Sequence, residues 1–178
     1  MSKLFKKKNI IGILGGTFDP PHHGHLYISK VALKRLKLKK VIWVVAKKNP
    51  LKKKPHLNVK SRIRLSKMIT KDEKKIFVTF LDQKTKSINT FDLLNYIKNK
   101  NKKADLYFLM GADNLIKFHK WKNWKKIPKL AKLVVFPRKN HLSKKNKYIV
   151  SKNLKKKDLI YINSKKVNIS SSLIRKFW

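Results

Sequence analysis

A chain of 178 residues with 42% apolar side chains can build one core, so a single domain over residues 1–178 is expected. It contains no cysteine, which excludes disulfide frameworks and thiolate zinc sites and makes the cytoplasm the expected compartment. The formal net charge of +40 suits a nucleic-acid partner, but only Arg35, Arg62, Arg64, Arg138 and Arg175 are arginine among 48 basic residues.

Base-reading surfaces favour the planar arginine fork, and here lysine is spread over the whole length. Compositional drift toward lysine, asparagine and isoleucine accounts for that spread, and no specific nucleic acid is expected. Such a field still attracts polyanions, ATP included.

At the N-terminus, Lys3 to Lys8 followed by Ile10 to Leu14 imitates a signal peptide, but the apolar run is short and broken by glycines. No segment approaches the roughly 20 apolar residues of a membrane span, so no membrane partner is expected. Short apolar, β-branched runs follow at Ile10 to Leu14, Val41 to Ala46, Ile76 to Leu81, Asp105 to Met110, Leu133 to Phe136 and Leu159 to Ile162. Between them lie helical patterns. Ile28, Val31, Ala32 and Leu36 share one face, and similar stretches run from Ser61 to Ile69 and from Thr90 to Lys98. This alternation predicts an α/β chain with a Rossmann-like, doubly wound parallel sheet. Arg138 to Lys157 is the least patterned stretch, either a surface excursion or a lysine-coated helix.

In such sheets, ligands bind beyond the carboxyl ends of the strands, where helix N-termini offer backbone N–H groups. The segment Gly15-Gly16-Thr17-Phe18-Asp19-Pro20-Pro21-His22-His23-Gly24-His25 falls there. Gly15 and Gly16 are expected to permit a sharp turn and close approach of backbone to a ligand, with Asp19-Pro20-Pro21 fixing the turn and Gly24-His25 opening the helix. A ligand-free glycine-rich connection is the plainer alternative, weakened by three histidines within four residues.

Neither G-x-x-x-x-G-K-[ST] nor G-x-G-x-x-G occurs, so a kinase P-loop and a dinucleotide-binding oxidoreductase drop out. The eight acidic residues are scattered, which disfavours a two-carboxylate hydrolase or a carboxylate metal cage. His22 and His25 suit zinc, but a third ligand is not evident and no protein-bound metal is expected. What remains is chemistry without a protein nucleophile. A phosphate attacks the α-phosphorus of ATP in line, and pyrophosphate leaves. Catalysis is then positioning plus charge stabilisation, with magnesium arriving on the triphosphate.

The eleven-residue segment resembles the G-G-T-F-D-P-x-H-x-G-H motif of bacterial nicotinate-nucleotide adenylyltransferases, members of the HxGH nucleotidyltransferase superfamily. Ile169-Ser170-Ser171-Ser172-Leu173-Ile174-Arg175 is similar to the family's I-S-[ST]-[ST]-x-I-R, which caps the triphosphate from the opposite side. Read as residues alone, Ser170 to Ser172 form a plausible helix N-cap with Arg175 able to grip phosphate. Met110-Gly111-Ala112-Asp113-Asn114 resembles the family's G-x-D, and Phe118-His119-Lys120-Trp121 its F-x-x-W.

The resemblance implies the nucleotidyltransferase fold and adenylyl transfer from ATP to nicotinate mononucleotide, a step toward NAD. It implies His22, His25 and Arg175 as catalytic residues. ATP and its phosphates fall to Gly15, Gly16, Thr17, Phe18, Gly24, Gly111, Asp113, Ile169, Ser170, Ser171 and Ser172. Nicotinate nucleotide falls to Thr90, Trp121, Arg138 and Lys52, with Mg2+ bound along with ATP. For Trp121 core packing is the plainer alternative to stacking on the pyridine ring, and stacking is favoured; Thr90 matches with a one-residue ambiguity. The resemblance covers most of Ile10 to Arg175, leaves a homo-oligomer open and departs from the family in ending three residues past Arg175.

Pantetheine-phosphate adenylyltransferase shares the chemistry but has a T-x-G-H form that this chain lacks. A cytidylyltransferase is a weaker alternative of the same kind. A class I aminoacyl-tRNA synthetase would need a longer chain with a K-M-S-K-S segment. From another class, a lysine-rich RNA-binding protein would leave the two phosphate motifs unexplained.

Overall fold

The computed structural model describes residues 9–136, 153–163 and 169–177. Arg138 and most of the unpatterned stretch from Arg138 to Lys157 lie outside the described residues. Six strands form one sheet: β1 Ile10–Gly16, β2 Lys40–Val45, β3 Ile76–Thr79, β4 Asp105–Gly111, β5 Lys132–Phe136 and β6 Leu159–Tyr161. Each falls on one of the six apolar runs. Their order is β3-β2-β1-β4-β5-β6, and every neighbouring pair is parallel.

Parallel strands need crossovers, and helices supply them from β1 to β5: α1 His23–Arg35, α2 Val59–Ile69, α3 Asp82–Thr85, α4 Thr90–Lys100, α5 Ala112–Ile116 and α6 Ile127–Leu130, while α7 Ser171–Ile174 follows β6. The chain builds outward from β1 to β3, then returns to place β4 on the other side of β1. With crossovers of one hand, that reversal sends the later helices to the opposite face. Both faces of the sheet are therefore covered, which is why its strands read as near-continuous apolar runs.

The two cores follow the period of two along each strand. Ile11, Ile13, Val44, Phe108, Met110, Leu133 and Val135 meet Leu94 and Ile97 of α4, Leu115 of α5 and Ile127 of α6. Leu14, Trp43, Val45, Leu109, Val134 and Phe136 face the other way, toward Ala32 of α1, with Ile63 and Ile69 of α2 packed against that cluster. Trp43 is fully buried, and its indole N–H donates to Ser29 Oγ at 2.8 Å. Left unmet in that core, the N–H would cost about 1–3 kcal/mol.

The turn after β1 differs from expectation. Gly15 and Gly16 belong to β1, paired with Val44 and Val45, and no described glycine has positive φ. Phe18 carries the left-handed conformation instead, at φ 49°, followed by a cis Asp19–Pro20 bond. Aromatic packing holds it there. The Phe18 ring is buried, stacked on Trp43 at 4.9 Å and tilted against His25 at 4.8 Å. At Gly15 an added Cβ would lie 3.4 Å from the Phe108 ring, an ordinary van der Waals contact.

Candidate active site

A cavity of about 470 Å³ opens at the carboxyl ends of β1, β2 and β4, the point where strand order reverses. Its volume suits a nucleotide-sized ligand. Gly15, Gly16, Thr17, Phe18, His22 and His25 form its floor, while Lys52 belongs to the loop after β2. Thr90, at the start of α4, Gly111, at the end of β4, and Asp113 and Trp121, beyond it, line a second side; Ser170, Ser171, Ser172 and Arg175 close it from α7 and its flanks.

Two residues expected in the site do not line the cavity. Gly24 lies beneath His22, where an added Cβ would come within 2.8 Å of the ring, and Ile169 packs behind Gly24. Both support the histidines from below.

α1 opens on His22, whose backbone is extended. His22 Nδ1 accepts the Gly24 N–H at 3.1 Å, and His25 Nδ1 accepts the His22 N–H at 3.2 Å. This reciprocal cap uses imidazole where Ser and Glu commonly serve. The two rings lie 3.8 Å apart. A ring nitrogen that accepts a hydrogen bond carries no proton, so the proton of each neutral ring sits on Nε2. Ser29 Oγ donates to the His25 carbonyl at 2.8 Å while accepting from Trp43, which ties the histidine helix to β2.

Ser170 caps α7 as expected, its Oγ accepting the Leu173 N–H at 3.1 Å. Ser171 Oγ donates to the Pro20 carbonyl at 2.8 Å, and Arg175 donates to the Asp19 carbonyl and approaches the Asp19 carboxylate at 3.5 Å. The two motifs from opposite ends of the sequence are thus in contact. Trp121 is half-buried, edge-on to Phe108 at 5.9 Å and tilted to Phe118 at 5.3 Å. Its two alternatives are not exclusive, since the ring packs on the core and also lines the cavity.

The contacts of four charged groups around the site escaped the sequence reading. Asp19 is buried and accepts the His56 and Leu57 N–H groups, both at 2.9 Å. Arg62, on α2, is 1% exposed; burial lowers its pKa, with Asp19 and Asp82 acting in the opposite sense. Burial likewise raises the pKa of Asp82, against the Lys47 N–H it accepts at 2.7 Å and the charges of Arg62 and Lys47. For both members of that pair, desolvation outweighs mutual attraction. Asp92 accepts from Ser87 Oγ at 2.6 Å and Lys122 Nζ at 3.1 Å, joining α4 to the Trp121 loop. The rarity of arginine in so basic a chain is the one sequence signal that bears on Arg62.

The sheet and this cavity define an α/β enzyme of the nucleotidyltransferase class. The cytidylyltransferase-like family model matches residues 13–177. A protein of Pelagibacter ubique named probable nicotinate-nucleotide adenylyltransferase is 50% identical over 98% of this chain and 97% of its own length. One of the same name from Aquifex aeolicus is 33% identical over 90% of this chain and 98% of its own. The chain belongs to the nicotinate-nucleotide adenylyltransferase family. In fold it matches the solved Plasmodium falciparum nicotinic acid mononucleotide adenylyltransferase complexed with NaAD, with a TM-score of 0.77, 22% identity, and coverage of 95% of this chain and 83% of that one. Among the described residues, no helix is long and apolar enough to cross a membrane.

Proposed function

We propose that this enzyme transfers the adenylyl group of ATP to nicotinate mononucleotide, giving nicotinate adenine dinucleotide and pyrophosphate on the way to NAD. The observation that carries the reading is the convergence of the reciprocally capped histidines, the Ser170 to Arg175 segment and Trp121 on one cavity.

A phosphate oxygen of the mononucleotide forms a bond to the α-phosphorus of ATP, and the bond from that phosphorus to the bridging oxygen breaks, the electron pair leaving with pyrophosphate. No protein nucleophile is needed. His22 and His25 present Nε2–H toward the charge that develops on the transferring phosphate, held by their caps before the substrate arrives. Gly15 to Phe18 let backbone approach the phosphates, with Gly24 and Ile169 seating the histidines. Ser170 to Ser172 and Arg175 hold the triphosphate from the far side, and Asp113 with Gly111 receives the ribose region.

Trp121 stacks on the pyridine ring, amides near Thr90 receive its carboxylate, and Lys52 and Arg138 offset phosphate charge. Magnesium would be supplied together with the triphosphate, as part of the ATP substrate, and would offset its charge.

The test is pyrophosphate release from ATP with nicotinate mononucleotide, nicotinamide mononucleotide and phosphopantetheine offered separately, and with CTP replacing ATP. Turnover many times faster with ATP and nicotinate mononucleotide supports the reading. Turnover with phosphopantetheine alone, or with CTP in preference to ATP, overturns it.

A further inference from the structure

Arg62 is buried on α2 and does not line the cavity, yet its guanidinium gathers four backbone carbonyls. Nη1 donates to Thr17 at 2.5 Å and to Ala46 at 2.7 Å, Nη2 to Lys47 at 3.0 Å, and Nε to Leu57 at 3.0 Å. These belong to three separate segments: the turn after β1, the end of β2 and the approach to α2. A planar fork can serve so many acceptors at once, whereas an ammonium offers three donors from a single atom.

A trans peptide is planar, with its carbonyl and the following N–H pointing opposite ways. Carbonyls drawn onto Arg62 therefore turn the N–H groups of Phe18, Lys47 and Lys48 away from it. The Lys47 N–H bears this out by donating to Asp82 on the far side, at 2.7 Å. Phe18 and Lys48 both line the cavity, on the loops that follow the adjacent strands β1 and β2, and among the described residues neither N–H meets a protein acceptor.

We propose that Arg62 is a positioning residue for adenylyl transfer, fixing the Thr17–Phe18 and Lys47–Lys48 peptide planes so that the Phe18 and Lys48 N–H groups face the cavity as phosphate donors. It makes no contact with substrate itself. By occupying the carbonyls that would repel phosphate, it leaves two preset donors side by side, at the ends of the adjacent strands β1 and β2. The inference rests on the ATP-dependent reading given above.

Two measurements test it. In Arg62→Lys, which keeps the charge and loses the fork, KM for ATP is expected to rise about tenfold or more while KM for nicotinate mononucleotide stays within about twofold. A purely structural role would instead lower the thermal midpoint and the active fraction and leave both KM values alone, and that result overturns the inference.

Should the variant not fold, the wild-type chain carries the second measurement: amide 15N–1H shifts on adding the magnesium complex of α,β-methylene ATP. Phe18 and Lys48 are expected to move with Ser171, which lines the cavity. Movement of Ser171 without Phe18 and Lys48 overturns the role of Arg62 alone. No movement at any cavity amide overturns the ATP site and this inference with it.

Discussion

The rings of His22 and His25 lie 3.8 Å apart, and each uses Nδ1 to accept a backbone N–H from its own helix terminus. Capping and catalysis thus fall to opposite edges of the same ring, and substitution can separate them. Asparagine caps helices well, so His22→Asn is expected to keep the thermal midpoint near wild type and lower kcat by about 10²-fold or more, while His22→Ala also loses about 1 kcal/mol of helix capping. Pyrophosphate release and thermal unfolding of both variants check this. Unchanged kcat in His22→Asn would remove His22 from the chemistry.

Gly24→Ala tests the same arrangement from beneath. The new methyl would lie 2.8 Å from His22 Nδ1, 2.9 Å from Cε1 and 3.1 Å from Ile169 Cγ2. The imidazole must shift, and a misplacement of about 1 Å costs about 10²-fold in rate. The expected result is a kcat loss of that order with KM for ATP much less affected, read by steady-state kinetics. A variant as fast as wild type would mean that the ring position does not govern the reaction.

Trp121 has one edge in the core and another on the cavity, so its substitutions divide by ring size. Trp121→Ala is expected to raise KM for nicotinate mononucleotide about tenfold, through loss of stacking, and to leave KM for ATP unchanged. Trp121→Phe keeps a ring against Phe108 and Phe118 and should recover most of both stability and affinity. Equal effects on both KM values would assign the residue to packing alone.

Asp92 gives the acid limb of stability a definite sign. Burial raises its pKa, but hydrogen bonds from Ser87 and Lys122, the Lys122 charge and Asn89 outweigh this and leave it below the ordinary carboxylate value. The unfolded chain then binds the proton more readily. The contribution is whole above the unfolded value near pH 3.9, and it disappears as pH falls through the lower folded value. Asp82, raised by burial, works in the opposite sense and favours the folded state when protonated. Thermal midpoints of wild type and Asp92→Asn, followed from about pH 6 to pH 3, should converge as the acid limb is descended. Parallel curves would show that the Asp92 network does not stabilise the fold.

Much of this architecture is legible in the sequence because a doubly covered parallel sheet leaves continuous apolar runs, and Val41 to Ala46 or Leu133 to Phe136 can hardly be read otherwise. Ser170 was legible for a related reason, since a cap acts within four residues of itself. Arg62 was not. Its neighbours in sequence belong to an ordinary amphipathic helix, and its partners are main-chain carbonyls that carry no signature in side-chain identity. The turn after β1 was misread because two glycines adjoin it. Strain there falls on Phe18, whose ring packing with Trp43 and His25 depends on tertiary contacts that no local pattern displays.

The contacts of Ser171 with Pro20 and of Arg175 with Asp19 join positions 151 and 156 residues apart. They form a seam between the first and last elements of the fold, closed across a very long loop of chain whose ends are entropically costly to bring together. A triphosphate bridging that seam, as the proposed function has it, would act as a reversible cross-link, adding its binding energy to the short helix α7, which has no buried residue of its own. Amide exchange in α7 should therefore slow on nucleotide binding more than exchange in β1 or β4, whose protection is already set by the sheet. The substrate, on this view, is also the last fastening of the molecule that consumes it.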